Sequence, residues 1–511
     1  MKPAKKVGGC VVTLMLTLSA CSLTPPLKTP VIPTANAYKE LGPWTPAQPA
    51  DRLPRDSWWS LYGVAELDEL ERKLIVGNPT LAAALANYAQ ARALADQARA
   101  GLFPTLGLGA STERDRESLH APLRGPSTPT YYNANTVGAS VSYEFDLWGR
   151  IRNEVAASEA NAAASAADLE NARLSLIAQL VDDYIQLRSL DRNRAILDET
   201  VDAYAHALKV TEQRHDAGIA PGLDVAQAQT QLNAARSRAA QTLAQRALME
   251  HAIAALLGVS ASSFSIEPQI IVIALPQIPS GVPTTLLERR PDIAGAQRRM
   301  IAANANIGVA RAAYFPSLTL GAQGGLQSTN IGNLLSAPSS FWALGPNVLL
   351  SVFDGGLRRA QVAQARAEFD ASAANYRGSV VAAFQQVEDG LATLNHYHDA
   401  GVDEKAALNA AQRTLDYSMT LYKQGATDYL TVVASQTALL QSQLQALNLD
   451  TLQLIASVDL VRALGGGWQD SHQTPPSATV IASPFTPPAA SLHRNAITRA
   501  ISIGSSTRFC G

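Results

Sequence analysis

The chain predicts a mainly α fold with a membrane β part, in which a duplicated unit supplies four β-strands and long antiparallel helical hairpins. Three observations carry this expectation. The sequence repeats itself at a distance of about 210 residues, several short segments alternate strictly between apolar and small polar residues, and two very long stretches keep helical periodicity. Arg99, Phe103, Pro104 and Leu106 return as Arg311, Phe315, Pro316 and Leu318, and Phe145, Asp146 and Arg150 return loosely as Phe353, Asp354 and Arg358. Gly218 with Val225 then matches Gly425 with Val432, and Leu257-Gly258 matches Leu464-Gly465.

Taken in order, residues 1–20 read as a signal peptide, because Lys2, Lys5 and Lys6 precede the apolar run Val11 to Leu18. That run is too short to cross a bilayer as a helix. Leu18-Ser19-Ala20-Cys21 follows and resembles the lipobox of bacterial lipoproteins, which implies lipid (diacylglycerol and an N-acyl chain) on Cys21. Ser22 in place of an aspartate implies sorting to the outer membrane of a double-membrane bacterium. Residues 21–57, rich in Pro and Thr, read as an extended tether between lipid and folded part.

The first repeat spans 58–258. Residues 64–100 carry helical periodicity broken at Asn78-Pro79, where proline suits the first turn of a new helix. Pro104 ends the helical pattern, and strands are expected over about 103–113 and 136–146. In the second of these Val137, Ala139, Val141, Tyr143 and Phe145 share one face, while Gly138, Ser140, Ser142 and Glu144 share the other. Eleven residues is the length of a tilted membrane strand. A helical hairpin is expected over about 150–257, with no proline or glycine from Arg150 to Asp216. A helix of that extent reaches roughly 100 Å. Gly218 to Gly222 makes the reversal, and Asp224 suits an N-terminal cap or first-turn acid of the returning helix.

After a linker at 259–285, the second repeat spans 286–467. Strands are expected over about 315–327 and 341–353, the last less clean because Leu349 and Phe353 fall opposite Leu350 and Val352. The second helical hairpin is expected over about 357–464, with Gly378, Gly390 and Gly401 as interruptions and its reversal at Gly425. Residues 468–511, rich in Pro, Ser and Thr, read as a disordered tail.

A half-buried strand of a soluble sandwich shows the same alternation, so the membrane reading needs its own support. The polar face carries small residues and acids, the chain is exported, and there are only four such strands. Outer-membrane barrels need at least about eight strands, and an open edge cannot persist in lipid. The barrel must therefore be shared between chains, and two, three or four protomers satisfy the count equally.

Composition narrows the function classes. A formal charge of −2 excludes a strongly basic nucleic-acid footprint. Of the three cysteines, Cys10 leaves with the signal and Cys21 takes lipid, so Cys510 has no partner for a disulfide. No metal-ligand spacing, phosphate loop or nucleophile elbow is present, which argues against an enzyme and assigns no cofactor or metal. His396 and His398 lie two apart, poor spacing for one helical face, and read as solvated.

The residues resemble the outer-membrane efflux proteins of the TolC and OprM type, in the lipoprotein branch called NodT-like. The match rests on Leu286 to Ile293 (Leu-Leu-Glu-Arg-Arg-Pro-Asp-Ile), on Ala302 to Leu320, on Phe145 to Arg150, and on the lipobox. The resemblance implies a homotrimer with a 12-stranded β-barrel continuous with a 12-helix α-barrel across the periplasm. It implies a passive exit duct served by an inner-membrane pump and a periplasmic adaptor. It also implies a belt around the tube's middle, from about Glu66 to Ile75, Ser260 to Pro283 and His396 to Asp403. Its free helical end would be closed at rest, with Asp428 as an acidic ring, Tyr422 as a latch, Asp224 more as a cap than a gate, and Gly218 and Gly425 at the adaptor-contacting tip. Thr431 and Ala434 stand where TolC-like members carry two acids, so a single ring at Asp428 is expected. The other reading is a periplasmic coiled-coil adaptor lipoprotein, which has one hairpin between β-rich domains and lacks a second copy with membrane-type alternation.

Overall fold

The computed structural model describes residues 23–30, 38–40, 57–120, 125, 127, 129–276, 278 and 290–466. Cys21, the signal segment, Leu286 to Arg289 and the 468–511 tail lie outside the described residues. After a 3₁₀ turn at Trp58–Tyr62 come α1 (Ala65–Gly77), α2 (Pro79–Ala100), β1 (Thr105–Arg116), β2 (Tyr131–Phe145), α3 (Arg150–Asp216) and α4 (Gly222–Leu256). The second copy gives α5 (Pro291–Ala312), β3 (Ser317–Ser328), β4 (Ser340–Leu349), α6 (Leu357–Lys423) and α7 (Tyr429–Ala463). The copies match in length: α2, α3 and α4 have 22, 67 and 35 residues, and so do α5, α6 and α7.

The shorter helices follow one another end to end beside the long ones, and a polar joint locks each meeting. Asn78 caps α2 by accepting from the Leu81 N–H at 2.9 Å, and its Nδ2 donates to the Leu256 carbonyl at the end of α4, at 2.7 Å. In the second copy the buried Arg290, oriented by Asp292 at 2.6 Å, donates to the Ala463 carbonyl at the end of α7, at 2.9 Å. Both devices satisfy carbonyls that a helix terminus leaves open.

Two expectations about α6 are corrected. It is unbroken through Gly378, Gly390 and Gly401, and His396 to Asp403 lies inside it and forms no separate belt piece. An isolated helical glycine costs only about 1 kcal/mol relative to alanine. A β-carbon on Gly390 would stand 3.4 Å from Leu460, so the missing side chain serves close packing against α7.

The sheet is antiparallel in the order β1-β2-β3-β4. Its register gathers apolar residues on one face: Leu108, Ala139, Gly324 and Trp342 form one row, and Leu106, Val141, Ala322 and Leu344 the next. The row between them, on the other face, is Gly107, Ser140, Gln323 and Ala343. A one-residue slip would exchange the faces. Leu108 is 84% and Trp342 79% exposed, so within one chain the apolar face has no cover. The outer edges of β1 and β4 pair with no strand among the described residues. Leu350, Val352 and Phe353 lie beyond the end of β4, while Leu349, its last residue, stays on the face opposite Trp342, Leu344 and Val348.

Aspartates turn the chain from strand to long helix. Asp146 accepts from the Ile151 and Arg152 N–H groups at 3.0 and 2.9 Å, and Asp354 from those of Gly356 and Arg358 at 3.0 and 3.3 Å. A carboxylate at a helix N-terminus satisfies open donors and complements the dipole. Trp148 donates to the Pro316 carbonyl at 2.8 Å and stacks on Phe315 at 4.6 Å, tying the first corner to the second.

The main core lies around the middle of α3. There Trp58, Trp59 and Tyr62 pack with Leu180, Tyr184, Ile253, Val387 and Val458. The described parts of the 21–57 segment are held on the helices. Arg311 donates to the Leu23 carbonyl at 3.1 Å, Asn304 to that of Pro25 at 2.9 Å, and Glu388 accepts from the Lys39 and Glu40 N–H groups. Gly308 provides the notch, since a β-carbon there would stand 2.3 Å from Thr24 Oγ1. Gly308→Ala is expected to displace this strap, accelerating proteolysis within 23–40 while helical circular dichroism is unchanged; an unaltered cleavage rate would remove the notch from the account.

Candidate functional site at the paired helix reversals

The two helical hairpins reverse at equivalent glycines. Gly218 and Gly425 have φ of 71° and 77°, a left-handed conformation that other residues adopt at a cost. Ile219 donates back to the Arg214 carbonyl and Ala426 to that of Leu421, at 2.8 and 2.9 Å, closing the same helix-ending motif twice. Both glycines are exposed, and Ile219, Leu223 and Leu430 beside them are 58–65% exposed.

Asp428 is the N-cap of α7. It accepts from the Thr431 N–H at 3.0 Å and from the Thr431 hydroxyl at 2.6 Å. The hydroxyl bond first, and the backbone bond next, hold its carboxyl below the usual range. Thr431 thus secures the exposed acid it follows. Of the two positions the sequence allowed Asp224, it takes the first-turn one: the cap position of α4 is Pro221, with no side-chain cap. Its pKa is raised, by partial burial first and by the Asp428 charge second, against the opposing pull of Arg214. The two acids therefore feel one another at one tip.

Tyr422 is buried in the last turn of α6, 5.2 Å from the Tyr429 ring. Arg214, from the last turn of α3, lies 4.7 Å from the Tyr422 ring centroid and donates to the Lys423 carbonyl at 3.2 Å. One guanidinium so joins the first hairpin to the second by a cation–π contact and a C-terminal hydrogen bond. The Tyr422 hydroxyl has no hydrogen-bond partner among the described residues. Tyr429 packs with Tyr422, Ala228 and Val432, and burial pushes its hydroxyl up to about 12. Sequence reasoning missed Arg214 and Tyr429. The available signal for Arg214 was only that of a cation in a final helical turn.

A second polar cluster, also unforeseen, anchors the middle of the molecule. Arg188, 2% exposed, contacts Asp191 at 2.8 Å, Glu66 at 2.5 Å and the Glu267 carbonyl at 2.8 Å. Arg246 of α4 reaches Asp191 at 2.6 Å and the Ile266 carbonyl at 2.6 Å. The network fastens α1 and the 266–269 segment to one face of α3. Nearby Asp182 and Asp183 are raised to about 7 and about 6 by burial, with the Asp459 charge adding to the first.

Four membrane-type strands with free edges, set on duplicated long helices that meet at a paired tip, define a subunit of a membrane channel. The family model described as outer membrane efflux protein matches residues 70–259 and 282–466, one segment for each copy. The chain belongs to that family. It is 31% identical over 456 residues to the probable efflux pump outer membrane protein TtgC of Pseudomonas putida, covering 89% of this chain and 94% of that one. It is 30% identical over 474 residues to outer membrane protein OprJ of Pseudomonas aeruginosa, covering 92% and 98%. Among solved structures, the outer-membrane channel OprN aligns with a TM-score of 0.81 at 28% identity, over 88% of this chain and all of that one. The Neisseria gonorrhoeae MtrE channel in its open state aligns with 0.73 at 25%, over 89% of this chain and all of that one. The protein is the outer-membrane channel component of an efflux system, placed in the outer membrane and extending into the periplasm.

Because the folded pKa of Asp182 lies above its ordinary value of 3.8, its contribution favours folding at low pH and is lost as pH rises to about 7. Asp182→Asn is expected to raise the melting temperature above about pH 7 and to change it little near pH 4. Equal effects at both pH values would remove burial of this charge as the cause.

Proposed function

We propose that three chains close into a passive exit duct, twelve strands in the outer membrane above twelve helical strands of wall, gated at the paired reversals. The observation that carries this is the sheet, with its uncovered apolar face and unpaired β1 and β4 edges. In lipid those edges need partners, and neighbouring chains supply them without a new kind of contact. Cys21 carries the lipid that holds the strap at the membrane.

At the tip, three copies of Asp428 converge around the threefold axis and repel one another, drawing in cations. The Arg214 clasp on Tyr422 opposes that repulsion by holding α6 to α3. Asp224 adds charge one layer away. Opening separates the second hairpin from the first, and a periplasmic adaptor drives it by docking on the exposed apolar residues beside Gly218 and Gly425. An inner-membrane pump supplies the energy and selects the cargo. The relatives support this division, since an antibiotic efflux pump outer membrane protein and a pyoverdine export outer membrane protein are both similar to this chain along most of its length. The cargo of this chain is accordingly a small molecule chosen upstream.

Asp428→Ala combined with Tyr422→Ala is expected to raise single-channel conductance in planar bilayers and to sensitise cells to bulky antibiotics. Arg214→Gln is expected to act in the same direction. Conductance equal to that of the parent protein in both variants contradicts the gate.

A further inference from the structure

Below the buried network, α3, α4 and α7 diverge and leave a groove of about 350 Å³. It lies between two packed regions: the main core around Tyr184 above, and the three-helix contact of Leu197, Ala239 and Leu440 below. Protein interiors rarely leave such a gap between facing helices, and this volume is of the size that small-molecule sites have.

The groove has a definite orientation. On α3, Arg188 and Asp191 face the 266–269 segment and Glu66, whereas Gln186, Ser189 and Asn193 line the groove. At 100° per residue these two sets lie on opposite sides of the helix. The groove therefore opens away from the belt segments, toward the bore of the proposed duct.

Its lining is amphipathic and uncharged. Leu248, Met249 and Leu444 give apolar surface, while Ser189, Asn193 and Asn448 give neutral hydrogen-bonding groups. Ser189 and Thr451 satisfy one another across the floor at 2.7 Å. Asn193 is different, since its Oδ1 has no hydrogen-bond partner among the described residues. That oxygen is buried beside the apolar wall, and rotation of the terminal amide, which is broad, presents it to a ligand that brings a donor.

We propose that this groove is a wall site for cargo in transit: it takes uncharged molecules with a flat apolar body and one N–H or O–H donor, which Asn193 accepts. The proposal rests on the duct reading for its access from the bore. Anionic molecules of the same shape are disfavoured because no cation lines the groove. A site of this kind holds cargo weakly, as a conduit requires, and concentrates neutral amphiphiles above the gate.

The test is a fluorescence titration of N-phenyl-1-naphthylamine, a neutral aromatic amine, into the full chain held in amphipol. One saturable site per chain is expected. Asn193→Leu should weaken it about tenfold, the value of one hydrogen bond. Leu248→Trp, at the exposed rim, should compete for the space and weaken it similarly while leaving the fold intact. The sulfonated analogue 8-anilinonaphthalene-1-sulfonate should bind at least about tenfold more weakly than the neutral amine. Binding that is non-saturable, indifferent to both substitutions, or equal for the two dyes overturns the proposal. All lining residues belong to one chain. Failure of the duct reading shows separately, as absence of conductance from the same sample.

Discussion

The constraint on which the structure depends is the register of a sheet too small to close. Pairing of β1 through β4 puts Leu106, Leu108, Val141, Trp342 and Leu344 on one face and leaves two strand edges without partners among the described residues. In water that face would invite aggregation, and in lipid the edges would be intolerable. Lipid covers the face, and in the proposed duct other copies pair the edges, with the helical wall following the same count.

Duplication explains how the wall fits the barrel. Each copy contributes two strands, one helix of 67 residues and two helices of 35 and 22 that meet end to end beside it. The joints solve one problem with different chemistry. Asn78 uses a short amide that caps one helix and bonds the other, while Arg290 reaches further and depends on Asp292 for its orientation. The copies have thus diverged in side chains while keeping lengths and turns. The tips show the same division, because Gly218 and Gly425 are equivalent but Asp428 caps its helix and Asp224 does not.

The elements were legible because their signals are periodic and local. Alternation from Val137 to Phe145 and the proline-free run from Arg150 to Asp216 each specify one kind of backbone, and the structure forms a strand and a helix there. What escaped the sequence was contact at long separation. Three glycines inside α6 looked like breaks; Gly390 and Gly401 lie close to Leu460 and Gln453 of α7, dozens of residues away, while Gly378 is exposed on an unbroken helix. The Arg188 network draws on α1, α3, α4 and a loop, and no spacing marks those residues as neighbours. Arg214 reaches Tyr422 and Lys423 only because both hairpins reverse at the same level. The sequence left Asp224 as cap or first-turn acid, and Pro221, which cannot offer a side-chain acceptor, takes the cap position and leaves Asp224 in the first turn.

The most direct measurement of the central claim is native mass spectrometry of the mature protein released from detergent micelles. The account predicts a single species of three times the chain mass, with no stable monomer outside detergent. A monomer that stays soluble in plain buffer would mean that the sheet edges need no partner, and the shared barrel would have to be abandoned.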